Sequence, residues 1–207
     1  MLVAVGYGRI LSAAHCDPTG NMAIEDGAHA AFSPGGADVD VANGYDSLLI
    51  DPNNGTIGEV YGGPWDATSA SHPNRYDLHV GGDANASVGE GLCIGGANTG
   101  EHCNAYVIRA DFSFECNRGL YMCPGFRAAS DNGHLIGGAG DSGGPVYVER
   151  TDGRVGARGT YANGVAGYFL DCNIGRFPPG AEGCDRRINV VGIDELEARW
   201  VAQVEYD

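Results

Sequence analysis

The chain has 207 residues, enough for one large domain or two small ones, and a hydrophobic content of 43% that supports a packed core rather than disorder. Its net charge is −15, and all 12 basic residues are arginine, with Arg186-Arg187 the one adjacent pair. Such a balance excludes the clustered positive charge that nucleic acid or an anionic membrane demands, and no run is long and apolar enough to span a bilayer.

Along the chain, Met1-Leu2-Val3-Ala4-Val5 leads into Gly6-Tyr7-Gly8 and then a short apolar run ending at Ser12-Ala13-Ala14-His15. This opening reads as a strand, a glycine turn and a second strand, and it has neither the basic stretch nor the cleavage site of a signal peptide. Further short apolar runs follow at Leu48–Ile50, Val107–Ile108, Val146–Val148 and Val190–Ile193, separated by clusters of Gly, Pro, Asn and Asp. That spacing is the pattern of an all-β sandwich or barrel. The stretch from Gly81 to Gly91, rich in Gly, Asp and Asn, reads as the connection between two halves. From residue 193 the period changes: Ile193, Leu196, Trp200, Val201 and Val204 recur at helical spacing, with Asp194 and Glu195 at the start where the helix dipole favours them. There is no internal repeat.

Two hexapeptides carry the chemistry. Residues 11–16 read Leu-Ser-Ala-Ala-His-Cys and residues 140–145 read Gly-Asp-Ser-Gly-Gly-Pro. A serine hydroxyl is a poor nucleophile near neutral pH and needs a base to take its proton, a role suited to histidine. The pair of motifs, in this order, resembles the chymotrypsin-like serine peptidases. The resemblance implies that His15 is the general base and Ser142 the nucleophile, and that the N–H groups of Gly140 and Ser142 form an oxyanion hole. Glycine at 140 suits a turn that aims two N–H groups at one point. Pro145 forbids helix after the turn and suits the start of a strand over Val146-Tyr147-Val148.

The resemblance further implies an all-β fold: two packed six-stranded antiparallel β-barrels followed by a C-terminal helix. Residues 1–85 would form the first barrel, carrying His15 and the acid; residues 86–192 the second, carrying Ser142; and residues 193–207 the helix and tail. Only 14 residues precede His15, so the first barrel is expected to lack its first strand, as in an N-terminally truncated chain.

The third member of the triad must be a carboxylate, and two candidates open apolar runs: Asp46 before Ser47-Leu48-Leu49-Ile50 and Asp77 before Leu78-His79-Val80. Asp46 lies 31 residues after His15 and 96 before Ser142, which suits the family's spacing; Asp77, 62 after and 65 before, suits it poorly. Asp46 is therefore preferred as the residue that accepts the Nδ1–H of His15.

Seven cysteines point to disulfides and an oxidising compartment. Cys93 with Cys103, Cys116 with Cys123, and Cys172 with Cys184 each enclose a short loop, and the first resembles the disulfide-closed segment of the secreted bacterial streptogrisin type. Cys16 is left over. No two cysteines stand in the Cys-x-x-Cys spacing of zinc ribbons, so neither metal nor cofactor is expected.

In the family, the base of the primary specificity pocket lies six residues before the nucleophile, here Ile136, and the opposite wall lies near Tyr161. The absence of an acid at 136 predicts an apolar preference. The family also pairs the acid before the nucleophile, here Asp141, with a positive group; Arg109, Arg118 and Arg127 are candidates.

The function these readings imply is a secreted, monomeric serine endopeptidase with a polypeptide substrate and no nucleic-acid or membrane partner. The competing reading is a catalytically impaired homologue serving as a binding or structural protein. An esterase of the Gly-x-Ser-x-Gly type is excluded by order, since those enzymes place histidine last and no histidine follows His134.

Overall fold

The computed structural model describes residues 3–5, 8–16, 24–25, 31–33, 37–51, 58–65, 76–130, 133–170, 172 and 183–206. The opening of the chain forms β1 (Val3–Val5) and β2 (Arg9–Ser12), then a 3-10 turn over Ala14–Cys16. Next come β3 (Ile24–Glu25), β4 (Ala31–Ser33) and β5 (Ala37–Ala42), a second 3-10 turn (Asn43–Tyr45) and β6 (Ser47–Asp51). These are followed by β7 (Glu59–Tyr61), β8 (Asp77–Asp83), β9 (Gly91–Gly96), β10 (Gly100–Cys116) and β11 (Tyr121–Ser130). The last part holds β12 (Pro145–Glu149), β13 (Val155–Gly164), β14 (Phe169–Leu170), β15 (Cys184–Asp185), β16 (Arg187–Gly192) and the helix α1 (Ile193–Trp200).

In the second half, β12-β9-β10-β11-β16-β13 pair in that order, and β13 pairs back onto β12. Every one of these pairings is antiparallel, so six strands close into a barrel and leave no edge among themselves. In the first half, β1-β2-β6-β5 form a four-stranded sheet. Between the halves, β8 runs parallel to β13 and antiparallel to β7. The strands just before residue 85 are thus hydrogen-bonded to the barrel that follows them.

The alternation of side chains explains how the barrel fills. Leu92 and Ile94 of β9, Val107 of β10, Phe126 and Ala128 of β11, Val146 of β12, Tyr161 of β13, and Ile188 and Val190 of β16 converge on one buried cluster. A second cluster spans both halves: Leu11 and Leu49 meet Phe114, Tyr147, Val191, Ile193 and Leu196. Burying each of these larger side chains contributes about 1.5–3 kcal/mol, and the shared cluster fixes one half against the other. Helix α1 buries Ile193 and Leu196 in that cluster and packs Trp200 against it. It ends at Val201, three residues short of the end of the helical pattern, where φ is 51°.

The three local disulfides are all formed: Cys93–Cys103, Cys116–Cys123 and Cys172–Cys184. Cys16 is exposed and takes no part in them. Among the described residues, no helix is long and apolar enough to cross a membrane.

Candidate active site

Strand register brings the first two candidate residues together. β2 and β6 are neighbours with Ser12 opposite Leu48, so the residues just past the end of β2 and just before β6 share one end of the sheet. His15 lies in the 3-10 turn past Ser12, and Asp46 lies two residues before Leu48. Asp46 adopts the left-handed conformation, with φ 43° and ψ 45°, which Asp tolerates better than most residues, and its N–H donates to Asn43 O at 3.1 Å. Its carboxylate accepts the backbone N–H of His15 at 3.1 Å and faces the ring Nδ1 at 2.8 and 3.0 Å. Asp46 is buried while the His15 ring is only partly covered, so the acid is held inside and the imidazole edge looks outward. Asp77, the other candidate, opens β8 opposite Tyr61 and, among the described residues, makes no hydrogen bond to His15.

Ser142 is presented by a chain reversal between residue 137 and the start of β12. Asp141 N–H donates to Gly138 O, Gly144 N–H to Asp141 O, and Gly143 N–H to Tyr161 O. Gly140 has φ +94°, the left-handed region that glycine enters at no steric cost. Gly143 is required twice over. Its φ is +80°, and a Cβ there would lie 2.5 Å from Ser12 Oγ and 2.6 Å from Ala13 N. That close approach seats the Ser142 turn directly on the chain leading to His15. Two further contacts tie the halves here: Cys16 Sγ donates to Ser142 O at 3.5 Å, and Asn117 Nδ2 donates to Asn43 Oδ1 at 2.8 Å. The Ser142 hydroxyl donates to Ala162 O at 3.4 Å, and among the described residues it makes no hydrogen bond to His15. The N–H groups of Gly140 and Ser142 have no internal acceptor among the described residues.

No family model and no curated protein matches the chain. Solved structures do. The chymotrypsin of Cellulomonas bogoriensis is similar with a TM-score of 0.63 at 18% identity, over 99% of this chain and 89% of that one. Protease A of Thermobifida fusca gives 0.62 at 21% identity, over 100% and 89%. The Nocardiopsis protease gives 0.63 at 16% identity, over 99% and 89%. This is the chymotrypsin-like fold.

Within that fold, the chain departs from the expected arrangement around Asp141. Its carboxylate is fully buried, yet among the described residues no arginine reaches it. It accepts the N–H groups of Asn98 at 2.8 Å, Thr99 at 3.0 Å and Gly138 at 2.8 Å, and the Thr99 hydroxyl at 2.6 Å. Burial raises its pKa above the usual carboxylate range, against the pull of these four donors. The three candidate arginines lie elsewhere. Arg118 donates to His15 O at 3.4 Å. Arg109 and Arg127 lie over the Phe112 ring, 4.4 and 5.1 Å from its centroid, in a cavity of about 560 Å³.

The expected specificity residues also differ in role. Ile136 is wholly buried in the barrel cluster with Val107, Phe126 and Val146, so its side chain is presented to the core. Its N–H donates to Asp185 O, and Asp185 N–H donates to Gly137 O, which zips this segment onto β15. Tyr161 is buried too, and its hydroxyl donates to Asp185 Oδ2 at 2.7 Å. The residue at the centre of this contact, Asp185, drew no attention in the sequence. The one local signal was an acid directly after Cys184, whose disulfide fixes its position. Among the described residues, Cys93, Glu101 and Cys103 offer three metal donors close together, but both sulfurs are joined in a disulfide.

Proposed function

We propose that the chain is a serine endopeptidase that cleaves peptide bonds through an acyl-enzyme intermediate. The observation that carries this reading is the clasp of the His15 ring by the buried Asp46 carboxylate, across 31 residues of sequence, beside a serine turn seated on the same loop. In this mechanism Ser142 Oγ attacks the substrate carbonyl carbon while His15 Nε2 takes its proton. Asp46 holds the Nδ1–H tautomer and stabilises the imidazolium. The carbonyl oxygen, now an anion, is received by the N–H groups of Gly140 and Ser142, whose lack of internal acceptors supports that role. His15 then gives its proton to the leaving amine. Water, activated by the same imidazole, hydrolyses the acyl ester and restores Ser142.

The three disulfides support an extracellular site of action, and a monomer acting on polypeptide substrates completes the reading. Residues 1–85 and 86–192 serve as its two catalytic halves, with residues 193–207 as a clamp behind them. One observation favours the impaired-homologue reading, namely that the Ser142 hydroxyl is turned toward Ala162 O rather than His15.

A fluorophosphonate probe separates the two. Labelling of the wild type, absent in Ser142→Ala, supports the peptidase. Ser142→Ala and His15→Ala should each cost about 10⁴–10⁶ in turnover, because triad members act as a unit. Wild type that neither labels nor cleaves any peptide would establish the impaired homologue.

A further inference from the structure

Strand register places four polar side chains in one row across the second barrel. Arg109 of β10 stands directly opposite Arg127 of β11, Arg127 opposite Asn189 of β16, and Asn189 opposite Asn163 of β13. Phe126, Ala128, Ile188 and Val190, which flank Arg127 and Asn189 in the sequence, all point into the barrel, so the row lies on its outer face. Hydrogen bonds tie it together. Arg127 Nε donates to Asn189 Oδ1, Asn189 Nδ2 to Asn163 Oδ1, and Asn163 Nδ2 to Glu115 O, each at 2.8 Å. Asn189 is buried, so the Arg127 guanidinium is anchored from beneath.

Two arginines directly opposite on paired strands repel each other, an arrangement that works against the fold. Burial, and then the repulsion of Arg187 and Arg109, holds the Arg127 pKa below its ordinary value. The Phe112 ring beneath both guanidiniums softens that repulsion without neutralising it. Among the described residues, none of Arg109, Arg127 and Arg187 makes an ion pair. Glu115 lines the same cavity and pairs with none of them. The chain has 27 acidic residues, yet the negative charge that this row lacks is left to come from outside.

The cavity over the row opens beside the catalytic pair. At one end Asn163 follows Ala162, whose carbonyl accepts the Ser142 hydroxyl. At another Gly119 follows Arg118, which donates to His15 O. Neighbouring strands are about 4.8 Å apart, so Arg127, two strands over from Asn163, is roughly 10 Å away, the length of about three extended residues.

We propose that the facing pair Arg109 and Arg127 binds an acidic side chain of the polypeptide substrate, an Asp or Glu carried about two to four residues away from the scissile bond. This rests on the peptidase reading above. Arg127 spends its Nε on Asn189 and keeps its terminal N–H groups for a ligand. Arg109 is exposed and makes no hydrogen bond among the described residues. A carboxylate between the two guanidiniums accepts from both and cancels their mutual repulsion, so binding relieves a strain that the free protein carries.

The test takes a peptide that the protein cleaves and places Glu, Gln or Lys in turn at each of the four positions on either side of the scissile bond. At a position two to four residues from the bond, Glu should exceed Gln by about 5- to 10-fold in kcat/KM at low salt, chiefly through KM. That advantage should shrink as salt is raised, a measurement on wild type that needs no variant. Arg109→Gln should remove most of it, and Arg109→Glu should turn it into a preference for Lys at the same position. Equal cleavage with Glu and Gln at every position, or a Glu preference that persists in Arg109→Glu, overturns the acid site and leaves the peptidase reading intact. Wild type that cleaves no peptide and takes no fluorophosphonate overturns the peptidase reading itself, and the acid site with it.

Discussion

The Trp200 indole N–H donates to the Ser47 hydroxyl at 2.9 Å, joining the last residue of α1 to the residue directly after Asp46. Ser47 is wholly buried, so its hydroxyl depends on this partner. The helix therefore braces the left-handed turn that aims the Asp46 carboxylate. Trp200→Phe should destabilise the protein by about 1–3 kcal/mol by stranding a buried polar group, beyond any loss of packing. It should also lower kcat several-fold through a loosened Asp46. Urea unfolding and steady-state kinetics on the same samples check both, and unchanged kinetics would show that the brace serves stability alone.

Asp46→Asn should leave the fold intact and reduce turnover by roughly 10⁴, because an amide stabilises the wrong imidazole tautomer. Asp77→Asn, at the start of β8, should leave turnover within a few-fold of wild type. Parallel kinetics with a circular-dichroism control decide between them, and the reverse ranking would remove Asp46 from the mechanism.

This part of the site was legible from sequence because its information is local. Ala-Ala-His-Cys and Gly-Asp-Ser-Gly-Gly-Pro each hold their geometry within six residues. Asp46 could be ranked above Asp77 by spacing, and the disulfides close loops of 7 to 12 residues. What escaped depends on strand register between distant segments. Asp185 meets Tyr161 and Gly164 only because β13 and β16 pair as they do, and Ile136 turns into the barrel because Gly137 bridges Asp185. Asp141 looked like half of an ion pair, but a buried carboxylate can equally be held by N–H groups that every residue but proline carries, and composition does not reveal them.

Thr99→Val tests that cradle. Thr99 Oγ1 has one proton and gives it to Asp141 Oδ2, so it accepts from His102 Nε2 at 3.1 Å, which fixes the Nε2–H tautomer of a histidine whose pKa burial already lowers. The valine variant leaves Asp141 three backbone donors and removes the hydroxyl contact of the His102 ring. A loss of about 1–3 kcal/mol is expected, with kcat reduced and fluorophosphonate labelling slowed. Wild-type labelling rates in the variant would show that the hydroxyl does not hold the Ser142 turn.

Asp185 should also leave a mark on stability. Its folded pKa of about 7 stands above its ordinary value of 3.8, so between those values the folded chain holds a proton that the unfolded chain has released. Stability from this group is therefore largest at low pH and falls as pH rises toward 7. Asp185→Asn removes that slope. Relative to wild type, the variant should gain on the order of 2 kcal/mol between about pH 5.5 and about pH 8.5, measured by urea unfolding. A constant difference across that range would mean that Asp185 is ionised throughout.

The cradle around Asp141 has a consequence for the alkaline side of the activity profile. A serine turn held by an ammonium group slackens once that group gives up its proton. Amides and a threonine hydroxyl have no such proton to give up in the working range of an enzyme. The shape of the turn around Ser142 is therefore written into the closed barrel itself, through Asn98, Thr99 and Gly138, which enclose the carboxylate from two separate segments. Catalysis should then hold level into base until the barrel as a whole gives way, and its loss there should coincide with unfolding.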